Sequence, residues 1–422
     1  MTTPDDSFPS LSDLAAPDGL APRPALGDRS GFSRLTAASY LAHAAVAPLA
    51  DGVLAAMKAE LDAAAGEGIG AMERLGAWLE VARERFARLI GAPKDAIALV
   101  PSTSAGVSAI ATALRFVPGE RVLCFDGEFP TNVAPWQAAA RGGGARVDLV
   151  PLAPFARSHA EGLDAVREQL ERGKPDNGQV RVVAVSAVQF QTGLAMPIAA
   201  LAELAHAHDA LLFVDAIQAA GAVPIDVEAS GVDFLAAAGH KWLMGPLGEA
   251  YLFVSPRVRE RLEPVQVGWL GIEDAFVFLG EPDRLRYDRP FATDARVFEQ
   301  GVVPFANYAG SAVALESLER LGVGAIFEHA NAWLDALEPQ LTEAGWTSVR
   351  PRERAARSAI ASFAPPAGVE VAAVVEAAAR RRVVVTGPDG HLRIAPHWPN
   401  AREEVELAAR VLIEATREVA GA

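Results

Sequence analysis

The chain has 422 residues, 51% hydrophobic and 22% charged, with a formal net charge of −15. That is enough apolar material for a large core and more length than one core usually organises, so two units sharing a cleft are expected. No basic block and no run of about 20 apolar residues occurs, which argues against a nucleic-acid partner and a membrane span.

Residues 1–38 are rich in Pro, Asp and Ala without a sustained period and read as an N-terminal arm. Met1 to Ser10 show neither the basic region nor the apolar run of a secretory leader. With Cys124 as the single cysteine, a reducing, cytoplasmic setting is expected. Leu75, Leu79, Ala82, Phe86 and Leu89 recur at three- and four-residue steps and predict a helix over 72–90, ended by Gly91, Ala92 and Pro93.

Strand and helix signals then alternate. Short apolar runs at 96–101, 121–125, 147–150, 180–188, 211–214, 234–237 and 250–254 read as strands. Segments 105–116, 163–170 and 198–208 read as helices. Continuous apolar strands separated by helices predict an α/β fold with a mostly parallel sheet, covered on both faces, that binds ligands beyond the carboxyl ends of its strands. Residues 256–290 are loop-like and aromatic, and a helix follows over 305–321. The C-terminal part reads as a smaller α+β unit, with strands near 359–363, 383–385 and 392–394 and a closing helix from Glu403. The expected organisation is an arm (1–38), a large α/β domain (39–290) and a small α+β domain (291–422).

Two charged residues stand at awkward places. Leu211, Leu212, Phe213 and Val214 run directly into Asp215, and Ala238, Gly239 and His240 lead from an apolar strand into Lys241. A carboxylate and an ammonium at strand ends are costly unless they meet opposite charge. An Asp–Lys pair in a sheet crevice is either a structural ion pair or the pair that pyridoxal 5′-phosphate (PLP) requires. In the second case the lysine forms the imine and the carboxylate keeps the pyridine nitrogen protonated. The stretch Pro101, Ser102, Thr103, Ser104, Ala105, Gly106 opens a helix after a strand. It offers hydroxyls and backbone N–H groups to an anion, although Ser and Thr there also serve as N-caps. Phe129, in Phe129-Pro130-Thr131, can bring a flat ring to the same crevice.

At these residues the chain resembles the class V aminotransferase, or cysteine desulfurase-like, group of fold-type I PLP enzymes. The similarity runs from Tyr40–His43 to Leu392–His397. It rests above all on Val214-Asp215-Ala216-Ile217-Gln218 and Gly239-His240-Lys241-Trp242. The resemblance implies a seven-stranded-type sheet, a homodimer, and action at Cα of an amino acid through an external aldimine, formed when the substrate amine displaces Lys241. Asp215 would face the pyridinium, and Gln218, with Gln189 as a lesser candidate, the ring oxygen. Thr103, flanked by Ser102 and Ser104, would hold the phosphate with His240, and Phe129 would stack on the ring. Arg393 would clamp the substrate carboxylate, and His43 would lie near the substrate entrance. Trp269 would compensate for Val302, which replaces a phosphate-binding threonine of the family; Ala238 likewise stands where relatives often carry serine.

Cysteine desulfurases need a nucleophilic cysteine on a small-domain loop, whereas Cys124 lies on an apolar strand and reads as a buried small hydrophobe. The ending Leu392-Arg393-Ile394-Ala395-Pro396-His397 looks most like isopenicillin N epimerase- and kynureninase-type members. Transamination, epimerisation and elimination stay open, as does a regulatory protein that keeps the fold without turnover. A Rossmann-type nucleotide binder is disfavoured because no Gly-x-Gly-x-x-Gly turn follows the first strand. Arg296 is expected to pair with a nearby acid, and no metal-ligand spacing occurs.

Overall fold

The computed structural model describes residues 24–172 and 178–421; most of the expected arm (1–23) lies outside them. Seven strands form the main sheet: β1 (Ile97–Val100), β2 (Arg121–Phe125), β3 (Arg146–Val150), β4 (Val180–Ser186), β5 (Leu211–Asp215), β6 (Phe234–Ala238) and β7 (Ala250–Val254). Their spatial order is β1-β7-β6-β5-β4-β2-β3. Only β7 runs against its neighbours, so the mixed sheet is mostly parallel, as its unbroken apolar strands require. The edge strand β3 differs: it carries Arg146 and Asp148 and is largely solvated, which blunts an otherwise open sheet edge.

Both faces of the sheet are covered. Leu99, Leu235, Tyr251 and Phe253 face a core shared with Phe86 of helix Met72–Leu89 and with Tyr308, Ala312 and Leu315 of helix Phe305–Leu321. Ala98, Val100, Ala236 and Leu252 face the opposite core, built with helices Thr103–Ala113 and Ala134–Gly143. The second of these helices escaped the sequence reading: it is short and alanine-rich, and Trp136 is its one large buried side chain. A buried Arg83–Glu299 ion pair joins helix Met72–Leu89 to the sheet. Glu299 also accepts the Leu99 N–H at 2.9 Å, and Arg83 donates to the Ile97 carbonyl at 2.7 Å.

The C-terminal part carries a three-stranded antiparallel sheet, Thr347–Ser348, Ala361–Ala364 and Leu392–Ile394, around a core containing Trp333, Trp346 and Phe363. Ser39–Tyr40 pairs in parallel with Val383–Val384, and Ala42 bridges Ala395, so the segment before the first helix is stitched to this unit. Phe32 packs on Trp398, and Arg29 donates to the Ala37 and Ala38 carbonyls. Among the described residues no helix is long and apolar enough to cross a membrane.

This topology places the site. Strands β1, β2, β4, β5 and β6 share one direction, so their carboxyl ends lie along a single edge. The residues that follow them there are Ser102–Ser104, Glu128–Phe129, Gln189, Asp215 with Gln218, and Lys241.

Candidate active site

Asp215 ends β5 and is fully buried. Its Oδ1 accepts the Ile217 N–H at 3.0 Å. Burial raises the Asp215 carboxyl above its usual range; the Ile217 N–H opposes this, Glu128 adds to it and the Lys241 charge opposes it. Burial lowers the Lys241 ammonium, with Asp215 opposing and the positive charge of Arg393 adding to the drop. The three residues therefore share one electrostatic environment. A lysine with a depressed pKa is a competent nucleophile near neutrality.

Phe129 is half-exposed, and the Lys241 Nζ stands 5.8 Å from its ring centroid. The Phe190 ring meets Phe129 edge-on at 5.3 Å. The Phe190 carbonyl accepts from Arg393 Nη1 at 2.7 Å, and Thr386 Oγ1 accepts from Arg393 Nε at 3.1 Å. Arg393 is buried on strand Leu392–Ile394, and burial lowers its guanidinium to about 10. Both partners are neutral, and no carboxylate pairs with it among the described residues. A buried cation so placed favours an incoming anion.

The phosphate candidates separate. Ser102 is an N-cap, accepting the Ala105 N–H at 3.1 Å, and Ser104 Oγ bonds Thr131 Oγ1 at 2.9 Å. Thr103, the first residue of its helix, keeps a buried hydroxyl with no hydrogen-bond partner. An unsatisfied donor at a helix N-terminus is what a phosphate would complete. Gln189 likewise leaves a buried, unpartnered Oε1 while its Nε2 donates to Glu128 at 3.0 Å. These orphaned groups, beside the Asp215–Lys241 pair, fit the phosphate, ring oxygen and ring nitrogen of PLP.

Gln218 is more committed. Its Nε2 donates to the Ala44 carbonyl at 3.0 Å and its Oε1 accepts the Trp242 indole N–H at 2.8 Å, leaving one amide hydrogen for a ring oxygen. His240 is half-buried, its imidazole lowered by burial and by Lys241, and its carbonyl accepts the Ala47 N–H at 2.8 Å. His43 is only 1% exposed. It bonds the Ala395 carbonyl through Nδ1 at 3.0 Å and packs among Tyr40, Trp242 and His397, in a closed cluster. Trp269 packs on Phe276 and Phe278, within the 265–302 segment. Val302 is exposed, and Ala238 is buried in β6.

Arg296 pairs with Asp294 at 2.7 Å. Burial pushes the Cys124 thiol far up, and its Sγ lies 3.5 Å from the Asn132 carbonyl, as suits a structural thiol. Glu128 was missed in the sequence. Its carboxylate collects the Ser186 N–H (2.7 Å), the Ser186 hydroxyl, Gln189 Nε2 (3.0 Å) and Asn132 Nδ2 (3.2 Å), and so fixes the neighbours of Phe129. Its sequence neighbourhood does not mark it: Asp126 is the acid directly past the strand, and the groups that Glu128 binds include Ser186 and Gln189, far away in sequence.

The aminotransferase class-V family pattern matches residues 39–404. The chain is 32% identical over 346 residues to the uncharacterized aminotransferase YcbU of Bacillus subtilis (strain 168), covering 79% of this chain and 84% of that protein. It is 28% identical over 354 residues to the isopenicillin N epimerase of Amycolatopsis lactamdurans, covering 80% and 85%. The fold is shared with the cystine C–S lyase C-DES in complex with its product cysteine persulfide. That similarity has a TM-score of 0.81 at 22% identity and covers 90% of this chain and 99% of that one. With a family pattern spanning most of its length, a fold-type I architecture and a crevice that fits PLP, the chain belongs to the class V aminotransferases and is a PLP-dependent enzyme.

Proposed function

We propose that the enzyme acts at Cα of an amino-acid substrate held by its carboxylate on Arg393, in the manner of the isopenicillin N epimerase-like members of the family. The observation that carries this reading is Arg393 itself: a buried guanidinium with only neutral partners, close enough to Lys241 to depress its ammonium.

Bound PLP supplies the electron sink for a pair of electrons left at Cα. The residues do the rest. Lys241 provides the amine that anchors the cofactor and, once displaced by the substrate amine, moves the proton at Cα. Asp215 would hold the proton on the ring nitrogen, and Thr103 with the helix N-terminus would receive the phosphate, with His240 as a further phosphate contact. Gln189 and the remaining Gln218 hydrogen would serve the ring oxygen, and Phe129 would stack on the ring. Return of the proton to Cα from the other face would make an epimer; transamination and loss of a β-substituent are the alternative outcomes of the same proton removal. A lyase would work without a catalytic cysteine, since Cys124 is buried.

The assembly we propose is a homodimer. Phe276, Leu279, Leu285, Tyr287 and Phe291 are exposed in the 265–302 segment, too much apolar surface to leave wet, and Trp269 would approach the partner's phosphate there. The unpaired Cys124 supports a reducing, cytoplasmic compartment. The division we propose keeps a large unit around the main sheet and a small C-terminal unit, with helix Phe305–Leu321 packed on the first and Ser39–Tyr40 paired with the second.

The deciding experiment is a panel of L- and D-amino acids read for Cα hydrogen exchange, keto acid and ammonia. Exchange with inversion and no other product supports the epimerase reading. Keto acid without ammonia replaces it with transamination, and ammonia release replaces it with elimination.

A further inference from the structure

Glu249 is a second acid with no assigned task. It precedes β7 and is 0% exposed, and neither of its carboxyl oxygens has a hydrogen-bond partner. An unpaired buried carboxylate is among the most expensive groups a fold can hold. Burial accordingly pushes its carboxyl up to about 8, with the Ser311 hydroxyl opposing.

Two glycines locate the carboxyl head. A Cβ built on Gly239 would lie 1.5 Å from Glu249 Oε1, and one built on Gly245 would lie 2.6 Å from the same oxygen. Neither glycine has a positive φ, so space, and not backbone conformation, demands glycine at both. They bracket the turn that carries His240 and Lys241. The Gly245 N–H donates to the Gly239 carbonyl at 2.9 Å, and the Gly239 N–H donates to the Glu249 carbonyl at 3.2 Å. The neck of the lysine turn is thus closed on itself, and the Glu249 head fills the notch beside it. Behind the head stand Tyr251, Tyr308 and Ser311, all fully buried, with Tyr251 and Ser311 joined at 2.8 Å. The titratable groups that feel its charge are these two tyrosines, which the Arg83–Glu299 pair also reaches, while His240 and Lys241 lie on the turn whose neck it borders.

We infer that Glu249 is a positioning residue, whose carboxyl head wedges the neck between Gly239 and Gly245 and thereby sets where the Lys241 amine stands. This rests on Lys241 being the cofactor lysine. The wedge works as a neutral acid, because burial outweighs the one opposing contact, the Ser311 hydroxyl.

The test uses the full-length protein, with and without PLP. It compares Gly239→Ala, Glu249→Ala, the double variant and Glu249→Gln. One readout is the Tm of the unloaded protein. The other is the yield of Lys241–PLP linkage trapped by borohydride between pH 6 and about 9.5. Gly239→Ala should lower both, the linkage by about tenfold, and adding Glu249→Ala should recover them. Glu249→Gln should keep the linkage at neutral pH and hold it at alkaline pH, where the parent protein loses it. A double variant no better than Gly239→Ala, or a Glu249→Gln profile that falls with the parent's, overturns the inference. If the parent protein captures no PLP at Lys241, the cofactor reading has failed; the Tm values still decide whether Glu249 and Gly239 share the notch.

Discussion

Arg393 donates a 2.7 Å hydrogen bond to the backbone carbonyl of Phe190, joining the C-terminal sheet to the loop after β4. The same Phe190 meets Phe129 edge-on, and Lys241 stands over Phe129. The proposed carboxylate anchor, the proposed ring-stacking aromatic and the proposed cofactor lysine are therefore linked in one short chain of contacts, and Arg393 is held by neutral groups. Arg393→Ala should lower kcat/KM by about 10- to 100-fold, the worth of a charge-assisted pair. Most of the effect should appear in KM, with cofactor absorbance unchanged. Arg393→Lys should recover little, since one ammonium cannot form the fork. Steady-state kinetics on the substrate found by the amino-acid panel checks this.

Asp215→Asn should separate stability from turnover. Burial works against the charged carboxylate in the unloaded protein, so the amide should leave Tm equal or higher. Turnover should fall by about 100-fold or more, because an amide cannot keep the ring nitrogen protonated. Paired Tm and rate measurements test it; an active Asp215→Asn enzyme would remove Asp215 from the site.

Glu299→Ala leaves the buried Arg83 with only the part-exposed Glu80 as a carboxylate partner and frees the Leu99 N–H. The cost should be about 2–4 kcal/mol, below that of a buried charge left wholly unpaired because Glu80 remains. Urea unfolding should show the midpoint falling with little change in slope.

His43 and His397 are buried, and burial lowers their imidazoles to about 4 and about 3. Each then binds a proton more readily in the unfolded chain, so its contribution is intact above about 6.5 and fades as pH falls toward the folded value. Glu249 and Asp215, raised by burial, tilt the other way. The informative quantity is therefore the difference between parent and His43→Asn. That difference should shrink on acidification from pH 6.5 to 4, by about 3 kcal/mol at full protonation. A constant difference would show that His43 titrates normally.

The main sheet was legible because its strands are unbroken apolar runs, and the Asp215–Lys241 pair because each charge follows such a run at once. Helix Ala134–Gly143 was not, since its buried face is marked by one large side chain, Trp136, with only Ala140 behind it. Arg393 had no local signal beyond its strand, and only the resemblance singled it out. Glu128, Glu249 and the Arg83–Glu299 pair were hidden for another reason. Their meaning lies in partners far away in sequence, such as Ser186 for Glu128 or Ser311 beyond the Glu249 notch. His43 read as a substrate-side residue, but its surroundings, Tyr40, Trp242 and His397, come from three separate segments that enclose it.

The central claim is that Lys241 carries the cofactor. Borohydride reduction of the PLP-loaded protein, followed by peptide mass mapping, tests it most directly. The account predicts a phosphopyridoxyl mass on the peptide containing Lys241 and its loss in Lys241→Ala. Label on another lysine, or none on a protein that holds PLP, would contradict it.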